Sequence, residues 1–245
     1  MDAEQTGPEE GTGAGAAEVR GEEPPPVVEA DDLGVRTRRG WVYRGVTLRA
    51  SAGTLVAVAG PGGSGRTSLL LTVAGRMRPT SGALRVCGLD LPEGAARVRG
   101  RAAVARAGGA AELEPELRVA DHVRERALTL PGTARSREAR ESFGGAWKSF
   151  GAACEVVGLD VPGRRRVRDL SPGDATRLAL ALAVMERPDV LVLDDLDAGS
   201  DGAGQHALWS SARRAADLGA AVVASTTEPS PAGGLADVLL TLGEH

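Results

Sequence analysis

Apolar and polar residues fall into short blocks along most of this chain, and the blocks switch between strand-like and helix-like spacing. Val27–Val35 and Val42–Leu48 read as two strands joined by the arginine-rich turn Arg36-Thr37-Arg38-Arg39-Gly40. Thr54–Ala59 is a short uninterrupted apolar run, the mark of a buried strand. A glycine-rich loop follows it, then a helical pattern over Ser68–Met77 and a strand at Ala83–Cys87, closed by Gly88. From about Glu114 to Asp169 the chain is charge-rich and helical. Helices are expected over Val119–Thr129 and Ala146–Val157, with a polar linker, Pro131–Gly145, between them. A helix opening at Asp174 then sets Ala175, Leu178, Ala179 and Leu182 on one face. The strand Val190–Leu193, the helix His206–Leu218 and the strands Ala221–Ser225 and Val238–Leu242 complete the pattern. Such alternation predicts an α/β fold, a parallel sheet with helices on both faces. There is no internal repeat.

Composition narrows the picture. Aromatics are only 2% against 42% hydrophobic residues in total, so the core is built from Leu, Val and Ala, which suits helices packed on a buried sheet. A net charge of −4 argues against a general nucleic-acid binder, whose phosphate contacts need clustered positive charge. Nearly all the basic residues are arginine, and Lys148 is the only lysine. Two cysteines, Cys87 and Cys154, are too few for a disulfide scaffold and read as reduced thiols. No apolar stretch approaches the ~18 residues that a membrane span requires. Residues 1–26 are acidic, rich in Gly, Ala, Glu and Pro, and unlike a signal peptide. They are expected to form a disordered tail ahead of a cytoplasmic domain over 27–245, whose role at a membrane comes through a partner.

The central chemical feature is Gly60-Pro61-Gly62-Gly63-Ser64-Gly65-Arg66-Thr67-Ser68. It has the phosphate-loop spacing G-x-x-x-x-G-K-[ST], with Arg66 in the lysine position, and lies between a buried-type strand and a helix. Glycines let backbone N–H groups turn inward around phosphate oxygens, and the helix adds the positive end of its dipole. Thr67 would place its hydroxyl on Mg²⁺, with Ser68 close to the α-phosphate. Guanidinium is larger and more forked than ammonium, so Arg66 keeps the charge with a different fit. A glycine-rich strand-to-helix turn without a ligand is the alternative. Downstream, Val190-Leu191-Val192-Leu193-Asp194-Asp195 delivers two carboxylates at the end of an apolar strand, where α/β sheets place their ligands. Asp194 would hold Mg²⁺ through water, and Asp195 would orient or deprotonate an attacking water.

With these parts the chain resembles the ATP-binding cassette family from about residue 27 onward. The most specific stretch is Leu170-Ser171-Pro172-Gly173-Asp174 with Arg177, then Glu186-Arg187-Pro188-Asp189 leading into the acidic strand. In the family a signature L-S-G-G-Q opens a helix and an R-P-D turn precedes that strand. Pro79-Thr80-Ser81-Gly82 also matches the family's run after the phosphate-loop helix. The resemblance implies a P-loop fold with a mainly parallel core, antiparallel strands at the N-terminus and an inserted helical subdomain at about 110–170. It implies ATP and Mg²⁺ as ligands, and a homodimer or heterodimer of cassettes in which Ser171 and Gly173 contact the γ-phosphate held by the second subunit. Asp201 would lie at that seam. A membrane permease on a separate chain is the implied partner, driven by ATP hydrolysis.

Several positions depart from the family pattern. Pro172 replaces the first signature glycine and lacks a backbone donor. Asp174 replaces glutamine, Asp195 stands in place of the catalytic glutamate, and Thr227 replaces the switch histidine. No glutamine occurs between Gln5 and Gln205 to serve the Q-loop. Thr37 occupies the place of the adenine-stacking aromatic, for which Trp41 or Tyr43 are substitutes, though core packing is the plainer role for both. These departures leave open a second function: a module that binds ATP and docks on a membrane partner while hydrolysing little or nothing. His122, His206 and His245 show no metal-ligand spacing, and the first two are expected on helix surfaces. Cys154 is expected to pack a helix, and Arg164-Arg165-Arg166 to form a solvated turn.

Overall fold

A computed structural model describes residues 25–129 and 138–243. Residues 1–24 of the expected tail, 131–137 of the expected linker, and His245 lie outside the described residues. In chain order the elements are β1 (Val28–Thr37), β2 (Gly40–Ala50), β3 (Leu55–Ala59), α1 (Arg66–Val73), β4 (Ser81–Val86), β5 (Leu89–Leu91), α2 (Ala95–Arg99) and β6 (Ala102–Arg106). They continue as α3 (Val119–Thr129), α4 (Glu138–Val157), α5 (Pro172–Val184), β7 (Val190–Leu193), α6 (Gly202–Asp217), β8 (Ala221–Thr226) and β9 (Val238–Thr241).

Two sheets form. One has four strands in the order β2-β1-β4-β5, all paired antiparallel. In β2 the period of two is plain: Val46, Leu48 and Ala50 are buried while Thr47 and Arg49 face water. The other has five strands in the order β6-β7-β8-β3-β9, all parallel. Successive side chains of its strands enter different cores. Leu55, Ala57, Leu191, Leu193, Val222 and Ala224 join the core formed with α3, α4, α5 and α6. Val56, Val58, Val190, Val192, Ala221 and Val223 join the core formed with α1 and the antiparallel sheet. Both faces of the parallel sheet are therefore covered except at the edge strand β9, where Leu239 is exposed, which is why the inner strands carry uninterrupted apolar runs.

The sequence pattern and the structure differ at several elements. β5, α2 and β6 have no counterpart in the pattern. β6, Ala-Ala-Val-Ala-Arg, is short and alanine-rich, a composition poor in intrinsic strand preference, and it extends because β7 offers it a ladder. α1 stops at Val73, short of Met77, in a turn completed by Gly75 with φ 67°. α4 begins at Glu138, so Glu138–Gly145 is helix where a linker is expected. The arginine-rich turn is only Arg38-Arg39, because Arg36, Thr37 and Gly40 belong to the strands. α5 is covered on all sides from Leu178 to Val184, beyond the single face of the expectation, as a helix between both halves of its core must be.

Candidate functional site

The C-terminal ends of β3, β7 and β8 lie side by side, with β8 in the middle. β3 runs directly into the glycine loop. Ala59 pairs with Thr226, and Gly60 N–H donates to the Thr226 carbonyl (3.3 Å), so Thr227 leaves the sheet beside the start of the loop. Gly63 and Gly65 hold left-handed backbone, φ 83° and 90°. At Gly65 a side chain is doubly excluded, because a Cβ would also overlap the Val42 carbonyl oxygen of β2. Pro61, Gly62 and Gly63 are exposed, and a Cβ on Gly62 or Gly63 would meet open space. The loop thus presents its backbone to solvent while its far end is clamped against β2. Ser64 is the reverse: its side chain is fully buried, and its Oγ is the buried side-chain polar atom lacking a hydrogen-bond partner among the described residues.

Two contacts join this loop to the acidic end of β7. Thr67 Oγ1 donates to Asp194 Oδ2 at 2.5 Å, across 127 residues of sequence. Arg66 Nη1 pairs with Asp195 Oδ1 at 2.6 Å; the arginine side chain is 9% exposed and the aspartate 43%. Asp194 is itself buried, its amide bonded to the Arg106 carbonyl of β6 (2.9 Å). Asp195 adopts φ 45°, left-handed backbone just beyond the end of β7. Ser225 of β8, which the sequence pattern does not single out, binds both acids. Its Oγ donates to Asp194 Oδ1 (2.5 Å) and accepts from the Asp195 amide (2.9 Å). Its neighbour Thr226 points the other way, donating to the buried Asp197, which also accepts from Trp209 Nε1 at 3.0 Å. Hydroxyls closing an otherwise apolar strand, Ala-Val-Val-Ala-Ser-Thr, are the sequence signal for both.

Hard oxygen donors, one hydroxyl and one carboxylate, facing each other at 2.5 Å suit Mg²⁺. Among the described residues no three of His, Cys, Asp and Glu cluster into a metal cage, consistent with an ion that takes the rest of its shell from phosphate and water.

The signature residues stand apart from this cluster in their contacts. Ser171 caps α5, its Oγ accepting from the Asp174 amide at 3.1 Å, and Pro172 fills the first helical position, where no N–H is needed. Gly173 lies against Ser200 and Arg177, and Gly199 against Pro172, so the start of α5 packs on the segment that follows β7. Asp201 caps α6 through the Gly204 amide at 2.8 Å.

A family model for ABC transporters matches residues 43–198, which span the glycine loop, the start of α5 and the acidic strand. The chain belongs to the ABC transporter family. A putative ABC transporter ATP-binding protein of Methanopyrus kandleri is 35% identical over 64% of the chain and 55% of that protein. A zinc import ATP-binding protein of Rhizobium meliloti is 30% identical over 78% of the chain and 54% of that protein. The chain therefore spans little more than half the length of these ABC relatives. A dimeric ATP-binding cassette solved with ADP and Pi superposes with a TM-score of 0.70 at 18% identity, covering 88% of this chain and 94% of that one. The fold is thus that of an ABC cassette, with a parallel core and antiparallel strands.

Within this ABC cassette the other candidate residues take structural places. Tyr43 is fully buried and donates to Thr72 Oγ1 at 2.9 Å, while Trp41 is half-buried beneath the Arg36 guanidinium, 5.5 Å from its ring centre. His206 is exposed, as expected. His122 is not: it is 7% exposed, its Nε2 at 3.3 Å from the Glu114 carbonyl, because it flanks the Val119, Val123 and Ala127 stripe of α3. Cys154 packs against the helical core, and burial, then Asp160 and Glu155, push its thiol up to about 11, which suits packing and not nucleophilic attack. Arg164 and Arg165 are exposed, and the half-buried Arg166 pairs with Glu116 at 2.9 Å.

Proposed function

We propose that the chain is the nucleotide-binding subunit of an ABC transporter, binding Mg-ATP between two cassettes and hydrolysing it to drive a membrane permease on a separate chain. The observation that carries this reading is the pair of contacts under the glycine loop, Thr67 to Asp194 and Arg66 to Asp195. The loop Gly60–Thr67, through its backbone N–H groups from Gly62 onward and with Ser68 behind them, would wrap the phosphates at the N-terminus of α1, and Arg66 would turn its guanidinium onto them. Thr67 and Asp194 would hold Mg²⁺, whose charge offsets that developing on the transferred phosphoryl group. Asp195 would orient and deprotonate the attacking water, with Thr227 beside it in the switch position. Ser171 and Gly173, exposed or half-exposed at the start of α5, would meet the nucleotide held by the second cassette. A cleft of about 390 Å³ lined by Leu113, Leu117, His122, Glu125 and Leu182 opens beside the segment leaving β6. Its apolar floor is edged by Glu112, Glu114 and Glu125 and by Arg126, which is paired with Glu186; the net acidic edge suits an amphipathic segment of the permease that carries basic residues.

A specific observation favours the second reading, binding with little hydrolysis. The Arg66–Asp195 pair engages the loop's cation and the water-activating acid with each other, and each must let go before turnover. A tenfold rate loss corresponds to only about 1.4 kcal/mol of barrier, so the pair slows the reaction without forbidding it. Phosphate release from Mg-ATP, measured beside nucleotide titration on the purified chain and on its complex with the permease, separates the two. ATP binding without phosphate above blank, even in the complex, removes the hydrolysis reading and leaves the binding module.

A further inference from the structure

We infer that Ser225 is the residue that orients Asp194 toward the metal and holds the acidic turn in its working shape. This rests on the Mg-ATP reading above. From the middle strand of the site, Ser225 bonds the three consecutive residues that follow the neighbouring strand β7. Its Oγ donates to Asp194 Oδ1 at 2.5 Å, the same Oγ accepts from the Asp195 amide at 2.9 Å, and its carbonyl accepts from the Leu196 amide at 2.9 Å. Because the hydroxyl ties down Oδ1, the carboxylate turns its other oxygen, Oδ2, to Thr67, 2.5 Å away. The amide bond at Asp195 anchors the residue with φ 45°, a backbone conformation that an unsupported aspartate seldom keeps. Ser225 is fully buried, so water does not replace its hydroxyl when it is removed.

Ser225 also lies two residues before Thr227, the first residue beyond the end of β8. A shift of β8 caused by contact at the switch position therefore moves the hydrogen bond that aims the metal carboxylate. Outer-shell bonds of this kind fix the direction and basicity of a ligating oxygen. Ser225 is a positioning residue: it acts through Asp194 and touches neither nucleotide nor metal.

The test is fluorescent-ATP binding to the full chain, in chelator and over a series of Mg²⁺ or Mn²⁺ concentrations. Ser225→Ala is expected to raise the metal concentration for half-maximal enhancement about tenfold, while metal-free affinity stays within about twofold. Ser225→Thr, which keeps the hydroxyl, restores the parent value, and Ser225→Cys, of similar size with a weak donor, gives the same contrast should the alanine variant fail to fold. Thr226→Val, on the opposite face of the strand, leaves the metal midpoint unchanged. An unchanged midpoint in Ser225→Ala, or an equal loss with and without metal, overturns the inference. So does a parent chain that binds ATP equally with and without metal, which leaves nucleotide binding intact. A parent chain that binds no ATP at all removes the Mg-ATP reading as well.

Discussion

Arg66 and Asp195 neutralise each other across the mouth of the site, their nearest atoms 2.6 Å apart and one partner largely shielded from water. A phosphate group entering the loop must compete with that carboxylate for the guanidinium. Asp195→Asn removes the competitor while keeping a residue that tolerates left-handed backbone. ATP affinity is expected to rise about two- to tenfold as like-charge opposition disappears. Phosphate release is expected to fall about 10²- to 10⁴-fold with loss of the base. Calorimetric titration beside a phosphate assay checks both. Unchanged or weaker ATP binding would show that the pair does not gate entry.

Gly65→Ala tests the clamp between the loop and β2. The new methyl group meets the Val42 carbonyl and Tyr43 Cβ, and φ 90° is unfavourable for any other residue. Destabilisation of about 1–3 kcal/mol, with loss of nucleotide binding, is expected in denaturant unfolding and titration. Gly62→Ala, facing open space, is expected to stay within about 0.5 kcal/mol of the parent. Equal effects at the two positions would contradict the geometry.

Trp209→Phe addresses the buried acid behind the site. Asp197 is 4% exposed and is held by Trp209 Nε1 at 3.0 Å and by Thr226 Oγ1 at 2.9 Å. Removing the indole donor leaves a buried carboxylate short of a partner and is expected to cost about 1–3 kcal/mol in urea unfolding. Since Asp197 joins α6 to the end of β8, the variant should also loosen amide protection in Thr226–Glu228, readable by hydrogen exchange.

Tyr43 gives the pH dependence on the alkaline side. Burial, partly offset by its bond to Thr72, pushes its hydroxyl from 10.0 up to about 12. The unfolded chain therefore ionises first. The associated stability is complete below pH 10.0 and is lost as pH rises toward about 12. This is the chain's single tyrosine, so phenolate absorbance reports it alone. Tyr43→Phe is expected to lose about 1 kcal/mol at neutral pH and to flatten the alkaline decline. A phenol titrating at its ordinary value in the folded chain would contradict the burial.

The parts of the site that are local in sequence are legible there. β3 and β7 are covered on both faces, so each shows an unbroken apolar run, and each run ends directly in its chemistry, Gly60 onward and Asp194-Asp195. What joins those parts is not legible. Arg66 meets Asp195 across 129 residues, and their pairing depends on β8 lying between β3 and β7, an order no local spacing encodes. β6 escapes notice because three of its five residues are alanine, which carries little strand preference. The early part of α4 is hidden because Gly144 and Gly145 interrupt its helical pattern. His122 defeats the surface expectation because a polar residue three positions after Val119 still rides the buried flank of α3.

The choice of Arg66 for the loop has a chemical corollary. A guanidinium does not take the acyl groups that cancel a lysine amine. With Lys148 as the sole lysine, outside the glycine loop, amine acetylation of this chain cannot strip the positive charge from that loop. The group that meets that charge is the Asp195 carboxylate, and an ion pair forms and breaks without any covalent mark.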